Sequence, residues 1–273
     1  MVVPSRREVL DLLARHGLKP RRALGQHFVV DPNTVRRVAR LASVGPGDRV
    51  VEVGAGLGSL TLALAETGAA VTAVEVDRRL LPVLRSLVEP AGVRVVAGDA
   101  MTLDWDAVLG EPPWMLVANL PYNIATPLIA DLLDGVPAIA RMLVMVQREV
   151  GERLAAGPGD DAYGAVSVKV AYWAEATVVG RVPPTVFAPQ PRVESALVRL
   201  VRHPAPPVDV DRARLFTLVE TGFGQRRKML RRSLADIVDA DAFSCAAVAP
   251  SARAEQLDLG AWARLARCAP SPS

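Results

Sequence analysis

Short apolar runs alternate with segments of helical periodicity from about residue 30 to residue 200. The apolar runs predict strands near 49–53, 70–75, 93–97, 114–118 and 142–146. Between them, apolar residues recur every three to four positions, which predicts helices over 59–67, 78–88 and 126–134. Strands that alternate with helices predict an α/β fold, in which helices cover both faces of a doubly wound, mostly parallel sheet.

The pattern changes after this alternation. Residues 176–187 and 195–201 predict two further strands around a proline-rich connection, and the composition of residues 203–211 (HPAPPVDVD) is that of a linker. Residues 212–267 have helical periodicity. The sequence therefore predicts two domains, a larger α/β domain over 1–203 and a small helical domain over 204–273.

Composition describes an ordinary globular chain. Hydrophobic residues make up 51% of the 273 residues and charged residues 22%. The apolar stretches are too short to span a membrane, and the first residues, MVVPSRREVL, lack the apolar core of a signal peptide. We therefore expect a cytoplasmic protein with no membrane contact. The two cysteines, Cys245 and Cys268, are expected to be small, partly buried residues rather than a disulfide or a metal site.

Charge is distributed unevenly along the chain. Residues 1–40 carry nine Lys and Arg against three Asp and Glu, and residues 181–232 carry eleven against four. The segment between them, residues 41–180, carries nine against seventeen. Two basic segments around an acidic one suggest a polyanion held over a central site, although arginine-rich composition alone favours nucleic acid only modestly.

A glycine-rich turn follows the first predicted strand. In VEVGAGLGSL, the residues Gly54, Gly56 and Gly58 allow the backbone to turn tightly and to approach a ligand closely. Ser59 stands near the place where a dinucleotide-binding turn would have its third glycine. Alone, this pattern is equally compatible with a structural turn.

Polar residues follow each of the next three strands. Glu75 ends the second strand, at the distance where an α/β cofactor domain places a carboxylate on ribose hydroxyls. Asp99 follows the third strand and Asn119 the fourth, at the same predicted edge of the sheet. The ordered set of glycine turn, two acids and an amide favours an S-adenosylmethionine pocket over a nicotinamide pocket.

The fourth strand ends in Asn119-Leu120-Pro121-Tyr122, which a central strand could not continue. The exocyclic amine of adenine is a poor nucleophile because its lone pair is delocalised into the ring. Two acceptors, the Asn119 side-chain oxygen and the backbone carbonyl of Leu120 or Pro121, would localise that lone pair toward an electrophilic methyl group. Tyr122 would stack on the extruded purine.

With these residues in place, the chain resembles the KsgA family of small-subunit rRNA adenine dimethyltransferases. The resemblance runs through most of the chain, and NLPY itself marks the wider group of adenine-N6 methyltransferases. The motifs that carry it are LGQHF (24–28), EVGAGLGSLT (52–61), VEVD (74–77), GDAM (98–101), NLPYNIATPL (119–128), VQREVGERLAAGPGDDAYG (146–164), VPPTVFAPQPRVESALVRL (182–200) and FGQRRKMLRRSL (223–234).

The resemblance implies a class I methyltransferase that dimethylates two adjacent adenosines near the 3′ end of 16S rRNA. Its substrate would be the assembling small ribosomal subunit, on which a monomer would act late in biogenesis. Phe187 matches an aromatic that would sandwich the flipped base against Tyr122, although a core aromatic is equally compatible with the sequence. The family usually has asparagine where His27 stands, and Ala55 replaces a common proline. The family's cofactor contacts fall on His27, Val29, Gly54, Glu75, Asp99 and Asn119.

The basic segments would then contact RNA phosphates. Near the N-terminus the candidates are Arg21, Arg22, Arg36 and Arg37. In the small domain, five cations are expected on one to two turns of a helix, where a solvated helix face is the alternative. These five are Arg226, Arg227, Lys228, Arg231 and Arg232.

Three other functions are compatible with parts of this pattern. An Erm-type methyltransferase shares the cofactor turn and an NLPY-like motif but acts on large-subunit rRNA. The segments QRRKMLRRSL and AYGAVSVKV favour the KsgA family instead. A noncatalytic RNA-binding or transcription factor would have no need of intact Glu75, Asp99, Asn119 and Tyr122, and the basic helical segment argues against a DNA adenine methyltransferase.

Overall fold

The computed structural model describes residues 2–270, which divide into two compact units. Each unit has its own apolar core. The first unit comprises residues 2–151 and 177–202, and the second comprises residues 152–176 and 203–270.

The boundary between the units differs from the single division predicted after residue 203. The structure places residues 152–176 with the second unit. This segment contains the helix Ala165–Trp173, whose Val168 and Tyr172 side chains are buried in the apolar core of the second unit. Apolar contacts made far along the chain therefore decide where this segment belongs.

The strands of the structure form one large sheet and one short pair. The strands are β1 (Phe28–Val29), β2 (Arg49–Val53), β3 (Ala70–Glu75), β4 (Arg94–Ala97), β5 (Trp114–Asn119), β6 (Ile139–Gln147), β7 (Ala174–Val182), β8 (Phe187–Ala188) and β9 (Ser195–Arg202). Within residues 2–270, seven strands lie in the order β4-β3-β2-β5-β6-β9-β7, and β1 pairs with β8. The neighbours among β2 to β6 are parallel, whereas β9 is antiparallel to β6. The predicted α/β fold with a mostly parallel sheet is thus confirmed.

Helices separate the parallel strands and make up most of the second unit. Within residues 2–270, no helix is both long enough and apolar enough to cross a membrane. Residues 203–211 form neither helix nor strand, in agreement with the predicted linker. The helices are α1 (Arg6–Arg15), α2 (Pro32–Ala42), α3 (Ser59–Ala65), α4 (Leu81–Val88), α5 (Trp105–Leu109), α6 (Ala125–Gly135), α7 (Arg148–Ala155), α8 (Ala165–Trp173), α9 (Arg212–Gly224), α10 (Leu230–Ser233), α11 (Ala240–Cys245) and α12 (Leu259–Cys268).

The order of the strands creates a crevice at the centre of the sheet. The chain runs outward from β2 through β3 to β4 and then returns to the other side of β2 as β5. At such a reversal the connections leave β2 and β5 in opposite directions, which opens a space at the carboxyl ends of the strands. The glycine turn and Asn119 therefore lie on either side of this crevice.

A disulfide bond joins Cys245 at the end of α11 to Cys268 at the end of α12. The prediction that both cysteines are unpaired was therefore wrong. They are 23 residues apart in sequence, and only the packing of α11 against α12 brings them together. Among residues 2–270, no group of three His, Cys, Asp or Glu side chains is placed to hold a metal ion.

Candidate active site

The glycine turn joins the carboxyl end of β2 to α3. Gly54, Gly56 and Gly58 have φ values of 75°, 60° and 82°, in the left-handed region that other residues rarely adopt. At Gly56, a Cβ atom would also lie only 3.0 Å from the ring of Phe28. The turn thus requires glycine both for its backbone conformation and for its close approach to Phe28 on β1.

Glu75 fixes this turn from the end of β3. Its Oε2 atom accepts a hydrogen bond of 2.7 Å from the N–H of Gly56, and its Oε1 atom accepts one of 2.8 Å from the N–H of Asp77. Burial raises the pKa of Glu75, and these two hydrogen bonds act in the opposite direction. Each carboxylate oxygen retains a further lone pair. Glu75 can therefore hold the turn and, at the same time, accept a hydrogen bond from a ligand hydroxyl.

These groups border an open pocket in the first unit, with a cavity volume of about 80 Å³. Eight of the predicted site residues line it, from β1 and the loop before it, the glycine turn, the end of β3, and the end of β5 with the turn that follows it. The pocket lies where the strand order predicts a binding crevice. The eight residues are His27, Val29, Gly54, Glu75, Asn119, Leu120, Pro121 and Tyr122.

Two predicted site residues lie outside this lining. Asp99 is exposed after β4 and accepts a hydrogen bond of 3.0 Å from the N–H of Met101, so its contact with a cofactor stays a prediction. Phe187 is only 1% exposed and belongs to the apolar core of the first unit. Its predicted place beside the target base stays a prediction, and the pairing of β8 with β1 carries the ring into this core.

Asn119 is the last residue of β5, and its side chain is oriented by the loop before α2. The Nδ2 atom donates a hydrogen bond of 2.9 Å to the backbone carbonyl of His27. This bond uses the donor end of the amide. The acceptor atom, Oδ1, is thereby left for a ligand, which is the orientation that the predicted chemistry requires.

The two candidate carbonyls of the turn differ in their partners. The Pro121 carbonyl accepts hydrogen bonds of 3.1 Å from the N–H groups of Ile124 and Ala125, at the start of α6. The Leu120 N–H donates to Met145 over 3.0 Å, but no backbone N–H in residues 2–270 donates to the Leu120 carbonyl. The structure therefore favours Leu120 over Pro121 as the backbone acceptor beside Asn119.

Tyr122 is half-buried and held at its hydroxyl and on its ring. The hydroxyl lies 3.0 Å from Oγ of the fully buried Ser195. Burial raises the pKa of Tyr122, which keeps the phenol protonated near neutral pH. The ring stacks on the imidazole of His27, with 5.3 Å between ring centroids and 28° between ring planes. The orientation of this aromatic ring is therefore fixed by the surrounding protein.

Glu52 is a pocket residue that the sequence analysis did not identify. It precedes the glycine turn on β2, lines the pocket and is only 2% exposed. Burial raises the pKa of Glu52 to about 8, whereas the hydrogen bond from the Thr61 hydroxyl lowers it. The available signal was an acid between the apolar residues Val51 and Val53 of this strand.

Gln26 ties the loop before α2 to the end of β3. Its Nε2 atom donates a hydrogen bond of 3.1 Å to the Asp77 carboxylate, and its Oε1 atom accepts one of 2.8 Å from the N–H of Arg21. The pKa of Asp77 is lowered to about 2, chiefly by the hydrogen bond from Arg79. This ionised carboxylate anchors the loop that carries His27.

The four arginines proposed to contact RNA near the N-terminus differ in their contacts within the protein. Arg21 and Arg22 are exposed. Arg36 forms an ion pair of 3.0 Å with Glu66, and Arg37 donates a hydrogen bond to a backbone carbonyl. The predicted RNA contact of Arg21 and Arg22 is therefore compatible with their positions, whereas Arg36 and Arg37 already have partners within the first unit.

The second unit carries the basic segment, defined as Arg226, Arg227, Lys228, Arg231 and Arg232. All five residues are exposed. The prediction that they lie on one to two turns of a single helix was wrong, because α9 ends at Gly224 and α10 begins only at Leu230. Arg226 pairs with Glu255 over 2.7 Å. For the other four, no ion pair or side-chain hydrogen bond is present within residues 2–270.

Known proteins resemble this chain in sequence and in structure. The chain matches the ribosomal RNA adenine dimethylase family over residues 17–269. It is 47% identical over 272 residues to the ribosomal RNA small subunit methyltransferase A of Kineococcus radiotolerans, with 96% of this chain and 90% of the relative covered. The protein of the same name from Thermobifida fusca is 47% identical over 275 residues, with 96% and 95% covered.

Two solved structures have a similar fold. A dimethyladenosine transferase from Plasmodium falciparum has a TM-score of 0.75 and 23% identity, with 88% of this chain and 96% of that chain covered. The 23S rRNA methyltransferase ErmE has a TM-score of 0.68 and 28% identity, with 88% and 98% covered. Together with the family match and the identities of 47%, these likenesses show that the chain belongs to the ribosomal RNA adenine dimethylase family.

Proposed function

We propose that the protein dimethylates N6 of two adjacent adenosines near the 3′ end of 16S rRNA. Its substrate is the assembling small ribosomal subunit, on which a cytoplasmic monomer acts late in biogenesis. The observation that carries the proposal is the orientation of Asn119. Its Nδ2 donates to the His27 carbonyl, so its Oδ1 is available beside the Leu120 carbonyl.

These two acceptors suit an exocyclic amine. The amine has two N–H bonds, and an acceptor aimed at each one favours a lone pair localised on nitrogen. The same acceptors stabilise the positive charge that develops as the nitrogen attacks, because they are already oriented before the reaction. Neither acceptor needs to take up a proton before the new bond forms.

S-adenosylmethionine is the methyl donor, and the lining residues fit it. When bound, it supplies an electrophilic methyl group. Glu75 offers carboxylate oxygens to the ribose hydroxyls, while the positive φ values at Gly54 and Gly56 let the backbone line the pocket without side chains. Val29 supplies apolar surface from β1.

Tyr122 provides the stacking surface for the adenine. A base must leave its helical stack before its amine can enter the crevice, and a stationary aromatic ring compensates for the lost stacking. The Ser195 contact and the His27 ring hold Tyr122 in one orientation. The N6 atom would thereby be directed toward Asn119 and Leu120.

Charge supports an RNA substrate. Arg227, Lys228, Arg231 and Arg232 are exposed, and no acidic partner is placed against them within the described residues. Cations of this kind release counterions when they bind phosphates, which makes affinity depend on salt. The names of the curated relatives support the small subunit as the source of this RNA.

The similarity to ErmE keeps a large-subunit substrate as the second candidate. Labelled S-adenosylmethionine would be incubated with unmethylated small subunits and, separately, with naked large-subunit rRNA, followed by digestion to nucleosides. We expect N6,N6-dimethyladenosine from the small subunit alone. Label in large-subunit rRNA would support the second candidate, and no label in either would indicate a noncatalytic RNA-binding protein.

A further inference from the structure

His27 contacts three parts of the candidate active site. Its backbone carbonyl accepts from Nδ2 of Asn119 over 2.9 Å, and its ring stacks on Tyr122 with 5.3 Å between centroids. Its Nδ1 atom lies 2.7 Å from the backbone carbonyl of Pro189. Because a carbonyl oxygen can only accept, Nδ1 must carry the proton in this bond. One residue therefore links the acceptor amide, the aromatic ring and the segment after β8.

We propose that His27 is a positioning residue for the target base. Its imidazole supports one face of Tyr122, and the adenine stacks on the opposite face. This inference rests on the proposed function, and it differs from the cofactor contact expected from the sequence. His27 acts through Tyr122 and need not touch the adenine.

The spacing of the two rings decides which face the base can use. A base between them would require about 7 Å, twice the van der Waals spacing of roughly 3.5 Å. The observed 5.3 Å between centroids leaves no room for a third ring. His27 is also held through its carbonyl and Nδ1, so the base cannot enter by displacing a free side chain.

The other contacts of Tyr122 make this support necessary. The Cβ atom and the hydroxyl contact with Ser195 fix the two ends of the phenol ring but leave the ring free to rotate about the axis that joins them. Within residues 2–270, His27 is the one aromatic ring in contact with Tyr122, and Phe187 is buried in the core. The stacked imidazole is therefore the aromatic contact that opposes this rotation.

The KsgA family usually has asparagine at position 27. Substitution of His27 by asparagine separates the role of the side chain from the role of the backbone. A His27→Asn variant keeps the backbone carbonyl that orients Asn119 but has no ring to support Tyr122. A His27→Phe variant restores an aromatic face without the Nδ1 donor. Comparison of the two isolates the contribution of the stack.

Nuclear magnetic resonance tests the stack directly, because the chain has three histidines. The His16→Asn and His203→Asn variants assign the imidazole signals. We expect the resonances of the His27 ring protons to lie upfield of those of the other two histidines, owing to the ring current of Tyr122. In the Tyr122→Ala variant these resonances should shift back downfield. A His27 signal that does not respond to Tyr122→Ala would overturn the proposal.

Kinetics test the function of the stack. In His27→Asn we expect kcat for small-subunit methylation to fall about 3- to 10-fold, the range given by one aromatic pair. The Kd for S-adenosylmethionine and the KM for the subunit should change less than about twofold. His27→Phe should recover most of the lost rate, and the exposed His16→Asn control should match the wild type.

Two results would contradict this role. A cofactor Kd weakened about tenfold or more, with kcat retained, would make His27 a cofactor contact. A kcat that rises in His27→Asn would mean that the imidazole covers the face that the base needs. Wild-type protein that transfers no methyl group would refute the proposed function itself, whereas the magnetic resonance shifts do not depend on activity.

Discussion

The pocket and the basic segment use charge in opposite ways. In the pocket, Glu75 is 4% exposed, and both of its oxygens accept backbone hydrogen bonds. In the basic segment, Lys228 and Arg231 are exposed and lack acidic partners within the described residues. A buried charge that is held in place by hydrogen bonds acts through geometry, whereas exposed cations act through their number and are screened by salt. Single substitutions should therefore matter most in the pocket.

The largest expected effect comes from Asn119→Ala. Loss of Oδ1 removes an acceptor that acts on the developing charge, so methyl transfer should fall about 100-fold or more. Binding to the small subunit should be retained, because the exposed cations are unchanged. Single-turnover transfer on preformed complexes would measure the rate, with the exposed Asn33→Ala as control. Normal turnover by Asn119→Ala would show that the acceptor mechanism is wrong.

Glu75→Gln should have the next largest effect. The amide supplies one oxygen where the carboxylate supplied two, so one of the N–H groups of Gly56 and Asp77 loses its acceptor. Affinity for S-adenosylmethionine should fall about 10- to 100-fold, as expected for loss of hydrogen bonds to a charged group. Isothermal titration calorimetry would measure it, with the exposed Glu89→Gln as control. Equal affinities in the two variants would argue against a cofactor role for Glu75.

The basic segment should respond to salt rather than to single substitutions. Replacing Arg227, Lys228, Arg231 and Arg232 together by alanine should reduce the slope of log affinity against log salt by about 3, as for four contacts to single-stranded phosphate. Arg226→Ala alone should change the slope less than any other single replacement, because Arg226 is already paired with Glu255. Subunit binding over a salt series would test both. An unchanged slope in the quadruple variant would make the segment a solvated surface.

The smallest effect is a pH dependence of stability. Burial raises the pKa of Glu52 to about 8, so the folded protein keeps this proton at pH values where the unfolded chain has lost it. Stability therefore falls as the pH rises from the unfolded pKa toward 8. Glu52→Gln removes this loss of stability. The Tm of the variant minus the Tm of the wild type should therefore be roughly 3–8 °C larger at pH 8 than at pH 5. A Tm difference between the variant and the wild type that does not change with pH would contradict the raised pKa of Glu52.

The sequence predicted the site where local patterns determine the structure. Gly54, Glu75 and Asn119 each follow or end an apolar run, and parallel strands bring such ends to one edge. The strand pattern therefore predicted both the fold and the crevice. Glu52 shows the limit of this approach, because a single acid inside an apolar strand gives no indication of whether it faces a pocket.

Contacts between distant segments could not be predicted in this way. The orientation of Asn119 depends on a carbonyl 92 residues away, and the burial of Phe187 depends on two strands of two residues each. The pairing of Cys245 with Cys268 depends on helix packing in the second unit. The broken helix in the basic segment reflects the end of α9 at Gly224, where charge pattern alone suggested continuity.

The most direct test of the central claim is to map the product. N6,N6-dimethyladenosine cannot form a normal base pair, so it stops reverse transcription. Unmethylated small subunits treated with wild-type protein and S-adenosylmethionine should give a stop at the pair of adjacent adenosines near the 3′ end of 16S rRNA, and subunits treated with Asn119→Ala should give none. Stops elsewhere, or equal stops with the variant, would contradict the account.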